Sequence, residues 1–316
     1  MHSLIAHFPV HEPLTQTAHF FIAFIRLTTD NKRMHIEPYL AERKALVEAH
    51  LFACLPPLGT RPENLTDAMR HAVTSGGKRL RAILCLAAAE AAGGQADAAL
   101  PAACAVELLH SYTLVHDDLP CMDNDVVRRG LPTVHVKYGE ATAVLAGDAL
   151  QTLAFEVLAR THEAAPGMTA RLVRELASAA GATGVIGGQV EDIAFASAPT
   201  RAVIDYVFQH KTADLFRAAM RLGAITAQAS DTALEKLSAF ANGLGFAFQV
   251  IDDILDAGES KSDDKPELSC LDIMSEAEVR AWARQLTHDA CEALSGLPGN
   301  TQPLSAIANS LLSRVI

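Results

Sequence analysis

Two long apolar segments of this chain each end in a cluster of aspartates, at residues 117–123 and 252–256. Apolar runs of the same kind recur along the chain; they are too long for strands and are separated by short breaks of Gly, Pro and polar residues. They lie at residues 82–92, 100–115, 141–160, 169–181, 204–230 and 234–255. The sequence shows no alternation of strands with helices and no period-two hairpin pattern. We therefore predict an all-α fold in which two facing helices carry carboxylates into a bundle core.

The aspartate clusters predict a metal site. Carboxylates packed this closely repel one another and raise each other's pKa values unless a cation offsets their charge. Oxygen ligands without a nearby set of Cys and His favour Mg²⁺, which proteins bind through a few carboxylates together with substrate phosphates. The pattern is therefore typical of a magnesium-dependent enzyme that acts on a diphosphate.

Each cluster has a local pattern that suits this chemistry. Pro120 is expected to end the first helix just after two carboxylates, and the following turn to bring Asp123 back towards them. Arg128-Arg129 nearby supply planar guanidinium groups that suit phosphate oxygens. The alternative for this segment is a helix end followed by a solvated acidic loop.

The second cluster lies on an otherwise apolar helical run. Asp252 and Asp256 are four residues apart, so they share a helix face, and Gln249 lies one turn earlier on that side. An acidic pair on such a helix is costly, which makes chance a poor explanation.

Three further motifs are weaker taken singly. Residues 75–81 place glycines before three basic side chains, a pattern that suits anion binding or an ordinary solvated helix start. Residues 187–189 hold paired glycines, with Asp192 nearby, which permit close helix approach or a kink. Lys211-Thr212 lies among apolar residues, where a lysine usually extends to solvent.

Composition limits the classes of protein open to this chain. Its 316 residues are 50% apolar and 5% aromatic, which favours a sizeable helical core in one or two domains. The net charge of −11 argues against nucleic-acid binding. The six cysteines form no C-x-x-C pair, and reduced thiols in a cytoplasmic protein are expected.

The first 33 residues differ from the rest. They contain several histidines and an apolar patch at residues 20–25, far below the ~20 apolar residues that span a bilayer. No basic segment precedes the patch and no small-residue cleavage site follows it, so neither a signal peptide nor a stable membrane anchor is expected. We predict a disordered extension, or a mis-assigned start, over residues 1–33 and a single domain over residues 34–316.

Taken in order, the motifs are recognisable. The chain resembles the short-chain trans-prenyltransferases, and within them most of all the bacterial farnesyl diphosphate synthases (geranyltranstransferases). The matching segments are GGKRLR at residues 76–81, HDDLPCMDNDVVRRG at 116–130, GGQVED at 187–192, HKT at 210–212 and FQVIDDILD at 248–256. The resemblance is dense over residues 62–256 and looser outside them.

The resemblance implies an isoprenoid-synthase helical bundle around a deep apolar cavity, which uses Mg²⁺ to condense isopentenyl diphosphate with an allylic diphosphate. It implies metal binding by Asp117, Asp118, Asp123, Asp252 and Asp256. Catalytic roles would fall to these five residues and to Lys211 and Asp253. The allylic diphosphate would contact Arg128, Lys211, Thr212 and Gln249. Isopentenyl diphosphate would contact Lys78, Arg81, His110 and Arg129.

Product length is expected to depend on the floor of the cavity. Thr113 lies four residues before Asp117, and Tyr112 five residues before it, about 7.5 Å along the helix axis. A bulky ring there would stop growth at a medium chain, as in the bacterial farnesyl synthases that this segment resembles. Farnesyl diphosphate is the first choice of product, with geranylgeranyl or geranyl diphosphate as alternatives, and Tyr112 can also be ordinary core filler.

The chain departs from the family after Asp256, where the loop is shorter and the usual Gly-Lys pair is missing. A second hypothesis is therefore a weakly active family member that regulates or scaffolds a partner subunit. A third is a class I terpene cyclase or a diphosphate hydrolase, which the basic GGKRLR motif disfavours because one substrate needs no second diphosphate pocket. The family resemblance also implies a homodimer.

Overall fold

The computed structural model describes residues 34–161, 165–194, 199–257 and 268–315. Within these ranges the chain is almost entirely helical, and the residues from Ile36 onward form one compact unit. The apolar runs from residue 82 onward lie largely in helices, so the all-α prediction is confirmed. The domain start at residue 34 stays a prediction, and the extension predicted at residues 1–33 lies outside the described residues.

The described ranges contain thirteen α-helices. In chain order they are α1 (Ile36–Cys54), α2 (Glu63–Thr74), α3 (Leu80–Ala91), α4 (Leu100–Asp117), α5 (Val134–Tyr138), α6 (Glu140–Thr161), α7 (Pro166–Ala180), α8 (Val185–Ala194), α9 (Arg201–Val207), α10 (Asp214–Thr226), α11 (Asp231–Asp256), α12 (Glu276–Ala293) and α13 (Gln302–Leu312). A π-helical turn, Phe208–Ala213, joins α9 to α10, and 3₁₀ turns lie at Ala96–Ala99 and Cys270–Asp272.

The centre of the bundle is formed by α3 and α10. Nearly every side chain of α3 is buried, as expected of a helix that is apolar on all sides. Gly223 of α10 lies so close to α3 that a Cβ there would meet the Cys85 carbonyl oxygen at 1.9 Å. Because α10 also contacts both α4 and α11, it lies between the two helices that end in aspartate clusters.

The run predicted as one helix over residues 204–230 is interrupted. Helix α10 ends at Thr226, Gln228 takes a left-handed φ of 54°, and α11 begins after Ser230. The Ser230 Oγ accepts a hydrogen bond from the Ala233 N–H at 3.2 Å. Serine is a strong N-cap residue, and a cap of this kind starts a new helix even where the apolar pattern continues.

A short hairpin follows the first aspartate cluster. Strands β1 (Val127–Arg128) and β2 (Leu131–Pro132) pair antiparallel through a two-residue turn at Arg129 and Gly130, whose φ angles are 54° and 78°. Positive φ at both central residues is the geometry that favours Gly in tight hairpins. Two-residue strands are too short to produce a period-two pattern, so the sequence did not predict this hairpin.

Two helical segments of the described residues, Ala96–Asp117 and Glu140–Arg160, are long and apolar enough to span a membrane by length and composition alone. The first is 72% buried inside the bundle, as a core helix of this length would be. Helix α6 is less buried and exposes Val144 and Leu145.

Candidate active site

The first aspartate cluster lies where α4 ends. The helix stops at Asp117, and the Asp123 N–H donates a hydrogen bond to the Asp117 carbonyl oxygen at 2.8 Å. The turn that contains Pro120 thus brings Asp123 back to the helix end, as the sequence predicts. Two carboxylates that are six residues apart therefore share one corner of the bundle.

Neighbouring aspartates of this cluster have different surroundings. Asp118 is buried and accepts a hydrogen bond from Arg128 Nε at 2.5 Å, while Arg128 also bonds Asp125 at 2.9 Å. Asp118 and Arg128 both line a small cleft beside α2 and α5. Asp117 instead lies close enough to Lys211 for that ammonium group to lower its pKa. Asp118 is thus paired with an arginine, whereas Asp117 lies on the side of the π-helical turn.

The charge on Asp117 is poorly balanced. Burial is the largest cause and raises the pKa of its carboxyl to about 7. The carboxylates of Asp123 and Asp118 also raise this pKa, and Lys211 and Arg128 lower it without cancelling the effect of burial. A carboxyl with so high a pKa lies where a cation would stabilise its charged form.

The second cluster lies at the end of α11. Burial raises the pKa of Asp252 to about 6, and Asp256 adds to the rise. Two cations oppose it, namely Arg314, whose Nη1 lies 3.5 Å from Asp252 Oδ1, and Lys78 of the GGKRLR motif. Asp252 thus faces both the C-terminal turn and the start of α3.

Asp253 has a different environment from its neighbours. Its carboxylate is buried and accepts hydrogen bonds from the Cys270 N–H at 2.7 Å, Ser269 Oγ at 3.2 Å and Gln249 Nε2 at 3.2 Å. The Gln249 Oε1 in turn accepts a hydrogen bond from Thr212 Oγ1 at 3.1 Å. These bonds occupy the carboxylate with protein donors, so Asp253 orients Gln249 and Thr212.

Lys211 and Thr212 lie in the π-helical turn, a feature that often marks functional sites. Two glycines let neighbouring helices approach this turn closely. A Cβ on Gly188 of α8 would lie 2.2 Å from the Lys211 backbone N, and one on Gly245 of α11 would lie 2.6 Å from the Ala213 Cα. The approach of α8 also brings Asp192 to 2.6 Å from Lys211 Nζ. The paired glycines of the sequence are therefore used for close helix packing.

A half-buried basic group, centred on Arg81, lies at the start of α3. Arg81 Nη1 is 3.2 Å from His110 Nε2, its guanidinium lies 4.8 Å from the centre of the Phe216 ring, and its buried Nε has no hydrogen-bond partner. Burial lowers the pKa of Arg81 to about 10, so it is still a cation at neutral pH. Burial, followed by the charges of Arg81 and Arg129, lowers the pKa of His110 well below its usual value, which leaves it neutral. Cations with so few counter-charges suit an anionic ligand.

Arg129 is held against the glycines of the same motif. It donates a hydrogen bond from Nη1 to the Gly76 carbonyl oxygen, and a Cβ on Gly77 would lie 2.7 Å from that nitrogen. Gly77 also has a φ of 125°, which favours glycine. Arg79 differs from these basic residues, since it is buried and contacts Glu48 at 3.3 Å and Glu107 at 3.7 Å.

The acidic and basic groups act on one another across the bundle. The charge of Lys78 lowers the pKa of Asp252, and Asp252 raises the pKa of Arg81. The charges of Lys211 and Arg128 lower the pKa of Asp117. Among the described residues, no three His, Cys, Asp or Glu side chains converge to chelate a metal ion by themselves. Mg²⁺ commonly takes only one or two carboxylates and completes its shell with water and phosphate. The all-oxygen donors and their raised pKa values fit such an ion.

Residues 62–277 match the family model described as polyprenyl synthetase, which is more than half of the chain. The chain belongs to the polyprenyl synthetase family. It is therefore a prenyltransferase of the isoprenoid-synthase fold, and the resemblance to the trans-prenyltransferases is confirmed. Divalent metal dependence is general in this family.

Individual members of the family are also similar. The chain is 42% identical over 269 residues to geranylgeranyl pyrophosphate synthase 7, chloroplastic, of Arabidopsis thaliana, covering 80% of this chain and 77% of that protein. It is 41% identical over 295 residues to the heterodimeric geranylgeranyl pyrophosphate synthase large subunit 1, chloroplastic, of the same plant, covering 87% and 78%. A crystal structure of an FPP/GFPP synthase from Zymomonas mobilis matches with a TM-score of 0.79 at 34% identity, covering 88% of this chain and 98% of that one.

Tyr112 and Thr113, the residues expected to set product length in this polyprenyl synthetase, lie on adjacent faces of α4. Tyr112 is 5% exposed, its hydroxyl is hydrogen-bonded to Gln151 of α6, and its ring meets His116 edge-to-face at 5.6 Å. Thr113 Oγ1 donates to the His110 carbonyl oxygen at 2.9 Å. The Tyr112 ring is therefore fixed between α4 and α6.

Two residues of this site were given no role in the sequence prediction. Asp192 was noted only beside the paired glycines, and the structure shows that it binds Lys211. Arg314 carried no such signal, since only the packing of the C-terminal turn brings it to Asp252. The shortened loop after Asp256 lies outside the described residues.

Proposed function

We propose that this prenyltransferase is a Mg²⁺-dependent farnesyl diphosphate synthase. It condenses isopentenyl diphosphate head-to-tail with dimethylallyl or geranyl diphosphate. The observation that carries the proposal is the presence of two aspartate clusters with raised pKa values beside a separate group of cations at the start of α3. Two substrates with diphosphate groups require both kinds of site.

The allylic diphosphate is assigned to the space between the clusters. Asp117, Asp118 and Asp123 would hold Mg²⁺ from one side, and Asp252 and Asp256 from the other. Bound there, Mg²⁺ would supply the positive charge that makes diphosphate a good leaving group. Contacts from this chain to the same diphosphate would come from Arg128, Lys211, Thr212 and Gln249.

Isopentenyl diphosphate is assigned to the basic group at the start of α3. Arg81 supplies a half-buried cation whose buried Nε has no hydrogen-bond partner, and Lys78 belongs to the same motif and Arg129 to the hairpin. His110 is neutral, so it can donate one hydrogen bond without adding charge to the group. The alkene attacks the allylic cation, and loss of a proton to the released diphosphate completes the longer chain. This step requires surroundings that keep water away from the cation.

The farnesyl product is supported by Tyr112. Its side chain is buried and its hydroxyl is hydrogen-bonded to Gln151, which fixes a bulky ring about 7.5 Å along α4 from Asp117. The names of the plant relatives favour geranylgeranyl diphosphate as the alternative. Product analysis after incubation with Mg²⁺, isopentenyl diphosphate and geranyl diphosphate separates the two.

We expect the native chain to stop at fifteen carbons and Tyr112→Ala to extend the product. Tyr112→Phe is the matched control, because it keeps the ring and removes only the hydroxyl, and it should leave product length unchanged. A native product of twenty carbons would show that Tyr112 does not limit product length, and the proposed prenyl transfer reaction would still stand.

We further propose a homodimer in the cytoplasm. The alternative is a weakly active subunit that needs a partner, which the similarity to a heterodimeric large subunit and the shortened loop both favour. Elongation by the purified chain alone would support the synthase. Binding of both diphosphates without elongation would support the partner-dependent subunit.

A further inference from the structure

A buried carboxylate closes the π-helical turn that carries Lys211 and Thr212. The Asp214 N–H donates a hydrogen bond to the Gln209 carbonyl oxygen, five residues earlier, where an α-helix would use the carbonyl four residues earlier. The side chains join the same two residues, since Asp214 Oδ1 accepts a hydrogen bond from Gln209 Nε2 at 2.8 Å. Lys211 and Thr212 therefore lie between two residues that are bonded through both backbone and side chain.

The same carboxylate accepts two further hydrogen bonds. Asp214 Oδ2 lies 2.8 Å from His210 Nδ1, and Oδ1 accepts a bond from Arg217 Nη2 at 3.0 Å. A carboxylate has no proton to give, so the Nδ1 of His210 is the donor. The His210 ring also lies against the Tyr206 ring, with their centres 4.3 Å apart. Asp214 is 2% exposed, so water is poorly placed to replace its oxygens if they are removed.

The shape of this turn sets the direction of the two side chains inside it. A π-helical turn is rare and holds one residue more than the α-helical turn it replaces. Relaxation to α-helical geometry would shift the residues on one side by one position, about 100° around the helix axis. Lys211 Nζ lies 2.6 Å from Asp192 Oδ2, and Thr212 Oγ1 lies 3.1 Å from Gln249 Oε1. A rotation of that size would break these contacts.

We propose that Asp214 is a positioning residue for prenyl transfer, which holds the π-helical turn in the form that directs Lys211 and Thr212 at the allylic diphosphate. This inference rests on the proposed function, because it is there that these two residues contact the leaving diphosphate. Asp214 acts through them and not through its own contact with substrate. Its removal should therefore affect the allylic substrate and spare isopentenyl diphosphate, which is assigned to the start of α3.

Another carboxylate that binds α10 provides a matched control. Glu175 of α7 accepts two hydrogen bonds from Arg221, each 2.7 Å long, and Arg221 lies on α10 beyond the π-helical turn. Glu175→Ala should lower Tm, because it weakens the packing of α7 on α10, and should leave the kinetic constants at their native values. If Asp214 only stabilised the fold, Asp214→Ala would behave in the same way.

Steady-state elongation assays with geranyl and isopentenyl diphosphates make the first test. Asp214→Ala should lower kcat by about tenfold and raise KM for geranyl diphosphate by about fivefold, with KM for isopentenyl diphosphate within about twofold of native. His210→Phe keeps a ring beside Tyr206 but removes one donor to Asp214. It should show the same pattern with smaller changes, and it provides the test if Asp214→Ala does not fold. Equal rises in both KM values, or native kinetics in a folded variant, would overturn the proposal.

Binding measurements separate this proposal from the proposed function. The affinity of geranyl thiolodiphosphate is measured by calorimetry in Mg²⁺ for the native chain, Asp214→Ala, the double variant Lys211→Ala/Thr212→Ala, and the triple variant. We expect the triple variant to bind within about twofold of the double variant, because Asp214 acts through the two residues already removed. Losses in binding free energy that add would overturn the proposal.

The double variant also tests the assignment on which the proposal rests. Native affinity without Lys211 and Thr212 would overturn their assignment to the diphosphate, and the role of Asp214 with it. Weakened binding by the double variant together with native binding by Asp214→Ala would overturn the role of Asp214 alone.

Discussion

The two aspartate clusters contain the same type of side chain but differ in the backbone structure that positions it. In the first, Asp117 ends α4 and Asp123 returns to it through a turn closed by a 2.8 Å backbone hydrogen bond. In the second, Asp252 and Asp256 lie on one continuous helix, where the helical register alone puts them on one face. The first geometry depends on a turn, whereas the second depends only on helix formation.

The clusters also differ in how their charge is balanced. The pKa of Asp117 is about 7, and the charges of Lys211 and Arg128 lower it. The pKa of Asp252 is about 6, and the charges of Arg314 and Lys78 lower it. In both, burial is the largest cause of the rise. Each cluster is thus an unfavourable feature of the metal-free fold, and we infer that both are retained for binding the same diphosphate.

The largest expected effect comes from removing the charge of either cluster. Asp117→Asn and Asp252→Asn should each lower kcat/KM for elongation by about 10³-fold, since each removes charge stabilisation at the reacting diphosphate. Steady-state assays with both substrates measure this. Asp205→Asn is the matched control, because Asp205 is an exposed aspartate paired with Arg201, and its activity should stay at the native level. If only one of the two variants lost much of its kcat/KM, the two clusters would not contribute equally to the reaction.

The second prediction concerns isopentenyl diphosphate binding by the basic group at the start of α3. Gly77→Ala should raise KM for isopentenyl diphosphate by about tenfold or more, because the new Cβ would displace Arg129, and should leave KM for the allylic substrate nearly unchanged. Gly59→Ala is the control, since Gly59 also has a positive φ, 78°, but no atom lies within 4 Å of its Cβ position. Equal effects of both variants would mean that backbone strain alone is responsible.

A third effect separates adjacent residues of the second cluster. Asp253→Asn should lower kcat by about tenfold, because an amide cannot accept all three hydrogen bonds that orient Gln249 and Thr212. It should leave Mg²⁺-dependent diphosphate binding intact, whereas Asp252→Asn should weaken it. Calorimetric titration of both variants with diphosphate in Mg²⁺ makes the distinction. Equal weakening would place Asp253 among the metal ligands.

The smallest effect concerns pH and stability. The folded pKa of Asp117 lies above its ordinary value of 3.8, so the folded state binds more protons between about pH 4 and pH 7, and the stability of the metal-free protein should fall across that window. We expect a loss of roughly 1–3 kcal/mol, which Asp117→Asn should remove. For Asp252 the window should end near pH 6. Denaturant titrations from pH 4 to pH 8 measure both. A native stability curve that is flat over this range would contradict the burial of these charges.

The sequence predicted the parts of the site that depend on helical register and on the local turn. The apolar runs predicted the helices, and Pro120 predicted the return of Asp123. The sequence could not predict that Asp118 and Asp253 are bonded to protein groups while Asp117 and Asp252 are not surrounded in the same way. The contacts of adjacent helical residues depend on which other segments pack against them. Arg128 reaches Asp118 through a hairpin, and Ser269 and Cys270 reach Asp253 from across a loop.

The central claim is that both clusters bind one diphosphate, and a double-mutant cycle tests it most directly. The affinity of an unreactive allylic thiolodiphosphate is measured by calorimetry in Mg²⁺ for the native chain, Asp117→Asn, Asp252→Asn and the double variant. If the clusters share the ligand, the double variant should bind little more weakly than the weaker single variant, because either change already breaks the shared site. Losses in binding free energy that simply add would contradict the claim and assign the two clusters to separate sites.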